Sequence, residues 1–279
     1  MQAPLVSIIV PYWGYGLPAD QEEYDKECDL LLAEHLREYK EQMLSRTYMQ
    51  RYFRIHYGVD FSEIGKVPSP KLPGHYNSDW LQEALASAYA QRYPNFEVVH
   101  GLPPGKKWNL SKARNYLISK SKGEYIVCLD ADDKLHEDYI SQCLNIVMQT
   151  KCDIAHPPFT FFGDQHFVAC AQELNVENYA KDNTLPYCCL YSRKVWDRYH
   201  YAEDMKYGYE DWDFWHAALA NGFNFKLVPF LIFFYRKVGA SMVDSAHENR
   251  DYNFARMTAH HPHVFTGAVR HTNYVKFTA

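Results

Sequence analysis

The chain lacks an apolar run long enough to cross a membrane. A span needs roughly 18 residues, whereas the longest candidate, Leu227 to Tyr235, is strand-sized and holds Pro229. It also lacks a strong excess of either charge: 29 Lys+Arg against 34 Asp+Glu give a net charge of −5. That balance argues against a surface that coats nucleic acid, though not against a locally basic pocket for a phosphorylated small molecule. Glycine and proline are sparse, at 13 and 14 in 279 residues, and 47% of the chain is hydrophobic. Collagen-like and disordered chains are thereby excluded. The 7 cysteines are odd in number, show no Cys-x-x-Cys spacing and sit mostly among apolar residues. They read as reduced, buried thiols in a cytosol-like compartment. Met1 to Gly14 has neither a positive n-region nor a small-residue cleavage site, so no signal peptide is expected.

What is present is enough for one large domain with a sizeable core, or two small ones. Val6 to Val10 is apolar and β-branched apart from Ser7, and reads as a strand buried on both faces. A helix is expected from about Gln21 to Arg51, with Leu30, Leu31, Leu36, Met43 and Leu44 as its apolar stripe. A strand at Tyr52 to Val59 follows, then a proline-rich insertion, Phe61 to Asn77. A helix from Ser78 or Asp79 to about Tyr93, a strand at Asn95 to His100 and a turn at Gly101 to Gly105 come next. Ser111 to Lys122 reads as a helix ended by Gly123 at C′. Tyr125 to Leu129 is a further buried strand, and Asp130 to Asp133 follow it directly. Strand and helix alternate, which predicts an α/β fold with a mostly parallel sheet flanked by helices. In such sheets ligands bind outside the carboxyl ends of the strands.

The second half predicts a hairpin, Ala155 to Phe162 with Phe167 to Gln172 around Gly163-Asp164. It continues with a short apolar run at Tyr187 to Tyr191, a helix at Asp211 to Ala220 stopped by Asn221-Gly222, and a last strand at Phe225 to Tyr235. After Val238 the chain is polar and rich in histidine, a tail expected to fold over a site or lie on the surface.

Asp130-Ala131-Asp132 is a DxD triplet. Alternate carboxylates at the mouth of a buried strand repel each other and lose hydration. A hard divalent cation, Mg²⁺ or Mn²⁺, would offset both costs and bring a substrate phosphate with it. The plainer reading is that Asp132 and Asp133 cap a helix at Leu135 to Met148. A second acidic group, Glu210, Asp211 and Asp213, stands among Tyr207, Tyr209, Trp212 and Trp215 at an expected helix start. The helix dipole alone favours acids there. A functional reading makes one carboxylate a general base beside a flat aromatic wall that suits a sugar.

These segments resemble a family 2-type glycosyltransferase with the nucleotide-diphospho-sugar transferase fold, GT-A. Val6 to Tyr12 is similar to that family's first strand. Asn109 to Asn115 and Lys122 to Asp133 are similar to its central block. Tyr191 to Trp196, Tyr207 to Phe214 and Asn221-Gly222 resemble its acceptor-side block, and Val228-Pro229 with Tyr235 to Ser241 its closing strand and loop.

The resemblance implies a GT-A domain over 1–238, with a donor half at about 1–133 and a smaller, mixed acceptor half at about 134–238, and a tail at 239–279. It implies a nucleotide-sugar donor, a UDP-sugar by preference, and a glycan or glycoconjugate acceptor, with a divalent metal, Mn²⁺ or Mg²⁺, as cofactor. Donor binding falls to Pro11, Tyr12, Asp60, Arg114, Asp130, Ala131 and Asp132. Metal binding falls to Asp132 and Asp130, with His247 as the third ligand in place of the histidine expected where Val238 stands. Asp211 is the implied base, with Glu210 beside it, and Tyr209 and Trp212 face the acceptor. Transfer would be one in-line displacement inverting the anomeric carbon. Arg114 and Lys112 either face the diphosphate or form an exposed helical pair.

Other readings have less to stand on. A sugar nucleotidyltransferase wants a basic residue in the Gly-rich loop after the first strand, and Pro11 to Gly16 has none. An aspartate phosphatase wants Thr or Val after the second Asp, where Asp133 and Lys134 stand. A carbohydrate-binding module without catalysis fits the 23 Tyr and 6 Trp but needs no acid pair. The sequon at Asn109 reads as idle, and His260, His261 and His263 read as surface histidines broken by Pro262. No nucleic-acid partner is expected, and membrane contact is left open only as a peripheral one.

Overall fold

The computed structural model describes residues 3–12, 78–101, 109–170, 172–179, 182–230, 232–238 and 246–262. The helix expected at Gln21 to Arg51, the strand at Tyr52 to Val59, Asp60, the insertion Phe61 to Asn77 and His263 lie outside those residues, as does most of the Gly101 to Gly105 turn.

A run of apolar residues with no polar alternation gives a strand that neither face can show to water. β1 (Val6–Pro11) is such a strand, buried at every position. Its side chains divide by period two. Val6, Ile8 and Val10 enter one core, and Ile9 enters another on the opposite face. β3 (Tyr125–Cys128) divides likewise, Val127 on the first side, Ile126 and Cys128 on the second. β1 lies between β3 and β2 (Phe96–Gly101), parallel to both.

The full sheet has six strands in the order β2-β1-β3-β8-β5-β9. β8 (Leu190–Ser192) runs antiparallel to β3 and to β5 (Ile154–His156), while β9 (Phe225–Leu227) is parallel to β5. The sheet is thus parallel over β2, β1 and β3 and mixed beyond them.

Helices cover both faces. α1 (Ser78–Tyr89) buries Leu81, Ala84, Leu85 and Ala88, a stripe at helical spacing. With α3 (Tyr139–Thr150) it closes the first core. α2 (Leu110–Lys120) contributes Leu117 and Ile118 to the second. α6 (Glu210–Ala220) adds Trp212, Phe214, Trp215, Ala218 and Leu219 there. The short helices α4 (Val176–Tyr179) and α5 (Arg193–Arg198) and the C-terminal α7 (Arg250–His260) complete this side.

A second sheet of four strands, ordered β4-β10-β6-β7, stands at the carboxyl ends of the first. β4 (Lys134–Leu135) and β7 (Val168–Ala169) are antiparallel to their neighbours, and β6 (Phe159–Gly163) is parallel to β10 (Phe233–Lys237). This sheet explains two departures from the sequence expectations. Leu135 pairs with Phe233, so the chain is extended where a helix start was expected, and the helix begins at Tyr139. The strand expected at Phe225 to Tyr235 is two strands in different sheets, with Pro229 between them, which lacks an N–H for a ladder.

Gly123 is not the αL terminator it was expected to be. α2 ends at Lys120 with Ser121 as its C-cap. The Gly123 N–H donates to Ser7 Oγ at 2.7 Å. A Cβ there would lie 2.4 Å from Ser7 Oγ and 2.5 Å from the Ser7 nitrogen. Glycine is required for close approach to β1, not for its φ.

The six described cysteines are free thiols, and all but Cys170 are buried. Among the described residues no helix is long and apolar enough to cross a membrane.

Candidate active site

The loop after β3 carries the first acidic group. Asp130 and Asp133 close a turn, Asp133 N–H to Asp130 O at 3.1 Å. Tyr187 struts it: its hydroxyl accepts from the Asp130 N–H at 2.9 Å and donates to Asp133 Oδ2 at 2.6 Å. Arg236 braces the other side, donating its backbone N–H to Asp133 Oδ1 and Nε to the Asp132 carbonyl, each at 2.6 Å. The Arg236 guanidinium is held in turn by Glu83 at 2.6 Å and lies 4.9 Å over the Trp80 ring. Asp133 is therefore buried structure, and neither it nor Asp132 caps a helix; Asp138 stands at that position. Burial, with Asp132 and Asp130 adding repulsion, pushes the Asp133 carboxyl far up.

Asp132 is left facing the pocket. Its side chain has access to solvent, but protein walls crowd the carboxyl. Loss of bulk water, and then the Asp130 charge, push it up to about 6.

The second acidic group opens α6. Gly208 (φ 96°) and Tyr209 (φ 63°) are both left-handed, and Tyr209 holds the N-cap position without a side-chain cap bond. A tyrosine in that region costs on the order of 1–3 kcal/mol and persists only when its surroundings fix it. Here its ring meets Trp212 edge-on at 5.1 Å, and its hydroxyl lies 3.2 Å from His247 Nδ1. The kink starts the helix with Glu210 and Asp211, at the positive end of its dipole. Asp211 Oδ2 accepts from Asn183 Nδ2 at 3.1 Å, and burial holds its carboxyl above the usual range against the pull of Arg114.

Arg114 joins the two groups. The side chain is fully buried, with Nη2 2.8 Å from Asp130 Oδ1 and Nη1 2.8 Å from Glu210 Oε1. Tyr187 and Tyr201 flank the guanidinium at 5.1 and 5.4 Å. Burial disfavours its charge, yet the two carboxylates more than compensate and keep it protonated. Arg114 is thus not an exposed helical residue; it borders the pocket with both its Nη atoms engaged by carboxylates. Lys112 is half-buried and outside the pocket lining. Burial pushes Glu210 up to about 7 despite Arg114.

A pocket of about 700 Å³ lies between the sheets and α6. Asp130, Ala131 and Asp132 line it from one side, Tyr209, Glu210 and Asp211 from another, and Pro11, Tyr12 and Arg114 from the β1–α2 side. His247 and Arg250 line it from the C-terminal segment. Acidic clusters some eighty positions apart in the chain thus share one cavity, of a size that suits a small-molecule ligand.

Some expected members are placed differently. Trp212 is only 2% exposed, with Nε1 donating to Tyr179 O at 2.9 Å. It is nonetheless one of the residues lining the pocket, and it packs edge-on against Tyr209. Tyr207 is exposed, edge-on to Tyr252, and outside the lining. Asp130, Asp132 and His247 do not form a ready-made cage: among the described residues the one group of three ligating atoms within 4.8 Å of one another is Asp213, His260 and His261. His261 is 6% exposed and meets Asp213 at 3.1 Å, so it is not the surface histidine expected. Asn109, the first residue of the sequon, caps α2, its side chain accepting from the Lys112 N–H at 3.0 Å. Sequence reasoning did not give roles to Tyr187, Arg236 or Glu83, although Tyr235-Arg236 stood in a quoted motif.

Residues 83–187 match the model of Glycosyl transferase family 2. That segment runs from α1 through β3 and the acidic loop to Tyr187. The matched segment, under half of the chain, resembles the core of a family 2 glycosyltransferase. Its fold is similar to that of S. aureus TarS 1-349 in complex with UDP-GlcNAc, at 11% identity and a TM-score of 0.55, over 98% of this chain and 71% of that one. S. aureus TarS 1-349 in complex with UDP is similar at 12% identity and a TM-score of 0.53, over 74% of this chain and 68% of that one. At such identities the likeness shows the GT-A fold. No curated protein sequence matches the chain.

Proposed function

We propose that this glycosyltransferase transfers a sugar from a nucleotide-diphosphate donor, a UDP-sugar, to an acceptor hydroxyl on a glycan, with inversion at the anomeric carbon. One observation carries the proposal: Asp132 and Asp211 line the same pocket from opposite acidic groups. The UDP-GlcNAc and UDP in the TarS structures support the choice of donor. The donor half and the acceptor half each supply a wall, and the tail supplies His247 and Arg250.

The pocket's donors suit a hard divalent cation. Asp132 is crowded and its charge is disfavoured by Asp130, a strain that a cation relieves. Mg²⁺ and Mn²⁺ need only one or two carboxylates when phosphate oxygens and water complete the shell. Asp132 would hold the ion, with Asp130 and His247 lining the same pocket. When bound, the ion stabilises negative charge on the leaving diphosphate.

Asp211 takes the proton of the acceptor hydroxyl. Its raised pKa brings it nearer the operating pH than an ordinary aspartate, as a general base requires. Asn183 fixes the carboxylate through Oδ2, and the backbone at Trp212 adds a further hydrogen bond that orients it. Glu210 is committed to Arg114 and acts as a positioning residue. Tyr209 supplies the aromatic contact to the acceptor sugar. Incubation with UDP-sugars and candidate glycans in Mn²⁺ tests this reading: product with inverted configuration is expected, and sugar binding without turnover would instead indicate a lectin-like module.

A further inference from the structure

On α6, Asp213 lies two residues after Asp211 and so about 200° around the helix from it. It turns away from the pocket toward the end of α7. His260 Nδ1 lies 2.9 Å from Asp213 Oδ1, and His261 Nε2 lies 3.1 Å from the same oxygen. Asp213 is 4% exposed and His261 6%. The second nitrogen of His260, Nε2, lies 3.2 Å from Asp204 Oδ1, and Asp204 is paired with Arg256.

An ion-pair clasp would require His260 to donate from both nitrogens, and two rings to crowd their N–H groups onto one oxygen. The arrangement has a second feature that a clasp does not need. One nitrogen of His260 points into the cluster while the other is held by a carboxylate, itself anchored by an arginine. That is how metal-ligating histidines are oriented: the outer carboxylate fixes the tautomer and raises ligand basicity. Tetrahedral bonds of about 2.0–2.1 Å set ligand atoms about 3.3 Å apart, close to the two separations from Asp213 Oδ1, while all three ligand atoms lie within 4.8 Å of one another.

We propose that Asp213, His260 and His261 bind a divalent transition metal, zinc by preference, with Asp204 as the outer carboxylate. Two imidazole nitrogens and one carboxylate oxygen form a borderline donor set that suits zinc and leaves one position for water. The site differs in place and chemistry from the oxygen donors at Asp132. It fastens the end of α7 to α6. His247 and Arg250, at the start of that C-terminal segment, then line the pocket opposite Asp211 on a fixed wall.

Cobalt(II) titrated into the full, chelator-stripped chain tests the site by visible absorption. A tetrahedral nitrogen-containing centre gives intense bands, whereas an octahedral all-oxygen centre gives weak ones. The expected result is a tetrahedral spectrum saturating at one Co²⁺ per chain, bleached by one equivalent of Zn²⁺. It persists in Asp132→Asn and is lost in His261→Gln. Asp204→Asn weakens the affinity about 10- to 100-fold. Should His261→Gln fail to fold, His260→Gln, at a partly exposed position, reads the same loss. Absence of tetrahedral bands in the folded wild type overturns the proposal. So do bands that survive in both histidine variants, or that vanish in Asp132→Asn alone.

Discussion

Arg114 is the residue on which the two acidic groups depend. Removing it leaves the buried Glu210 and the partly buried Asp130 without their countercharge. Breaking a buried pair from one side costs about 3–5 kcal/mol. Arg114→Met is therefore expected to lower the unfolding free energy read from urea melts by that amount, and Arg114→Lys to recover little, because a point charge cannot reach both carboxylates in a fork. An unchanged midpoint in Arg114→Met would remove the arginine from its central place. His156 gives a second residue-scale expectation. Burial, then Lys226, pushes its pKa down to about 4, and among the described residues neither ring nitrogen has a hydrogen-bond partner. The unfolded chain takes up the proton first, near 6.5. Its contribution is whole above that pH and is lost as pH falls toward 4, by about 1.4 kcal/mol for each unit. His156→Phe should flatten that part of the melting-temperature profile, and an unaltered slope would contradict the assignment. His136 and His216, both held down to about 3, keep the remaining acid sensitivity.

At the scale of elements, the junction of β1, α2 and β3 tolerates no side chain at Gly123. Two of the atoms that a Cβ would meet are backbone, the Ser7 nitrogen and the Tyr125 carbonyl oxygen at 2.7 Å. Gly123→Ala is expected to destabilise by about 1–3 kcal/mol, the usual cost of overpacking. Ser7→Ala should not rescue it, since trimming the hydroxyl leaves both backbone contacts. Full rescue in denaturant melts would show that the hydroxyl alone set the limit.

The elements also show what could be read from sequence. β1, β3, α2 and α6 were legible because their apolar periods are decided locally. The acidic loop after β3 was legible as a strand-end site. The start of α3 was misplaced because Leu135 answers to Phe233, a partner distant in sequence. The depth at which Trp212 stands in the pocket wall was not legible, because a sequence shows a residue's type and not its burial. Arg114 appeared as one half of an ambiguous pair, because its two partners come from separate segments. The His260–His261 pair was read as surface for the same reason, Asp213 being 47 positions away from His260.

For the whole molecule, the central claim is that the fold brings a donor-side acid and an acceptor-side acid to one cavity and gives them different tasks. Asp132 would serve donor binding through the cation, and Asp211 the proton transfer. Calorimetric titration of UDP with Mn²⁺ into wild type, Asp132→Ala and Asp211→Asn, with transfer measured on the same samples, tests it directly. UDP affinity should fall at least about tenfold in Asp132→Ala and stay at the wild-type value in Asp211→Asn, while transfer in Asp211→Asn drops about 10²- to 10⁴-fold. Loss of UDP affinity in Asp211→Asn, or its full retention in Asp132→Ala, would contradict the division of roles.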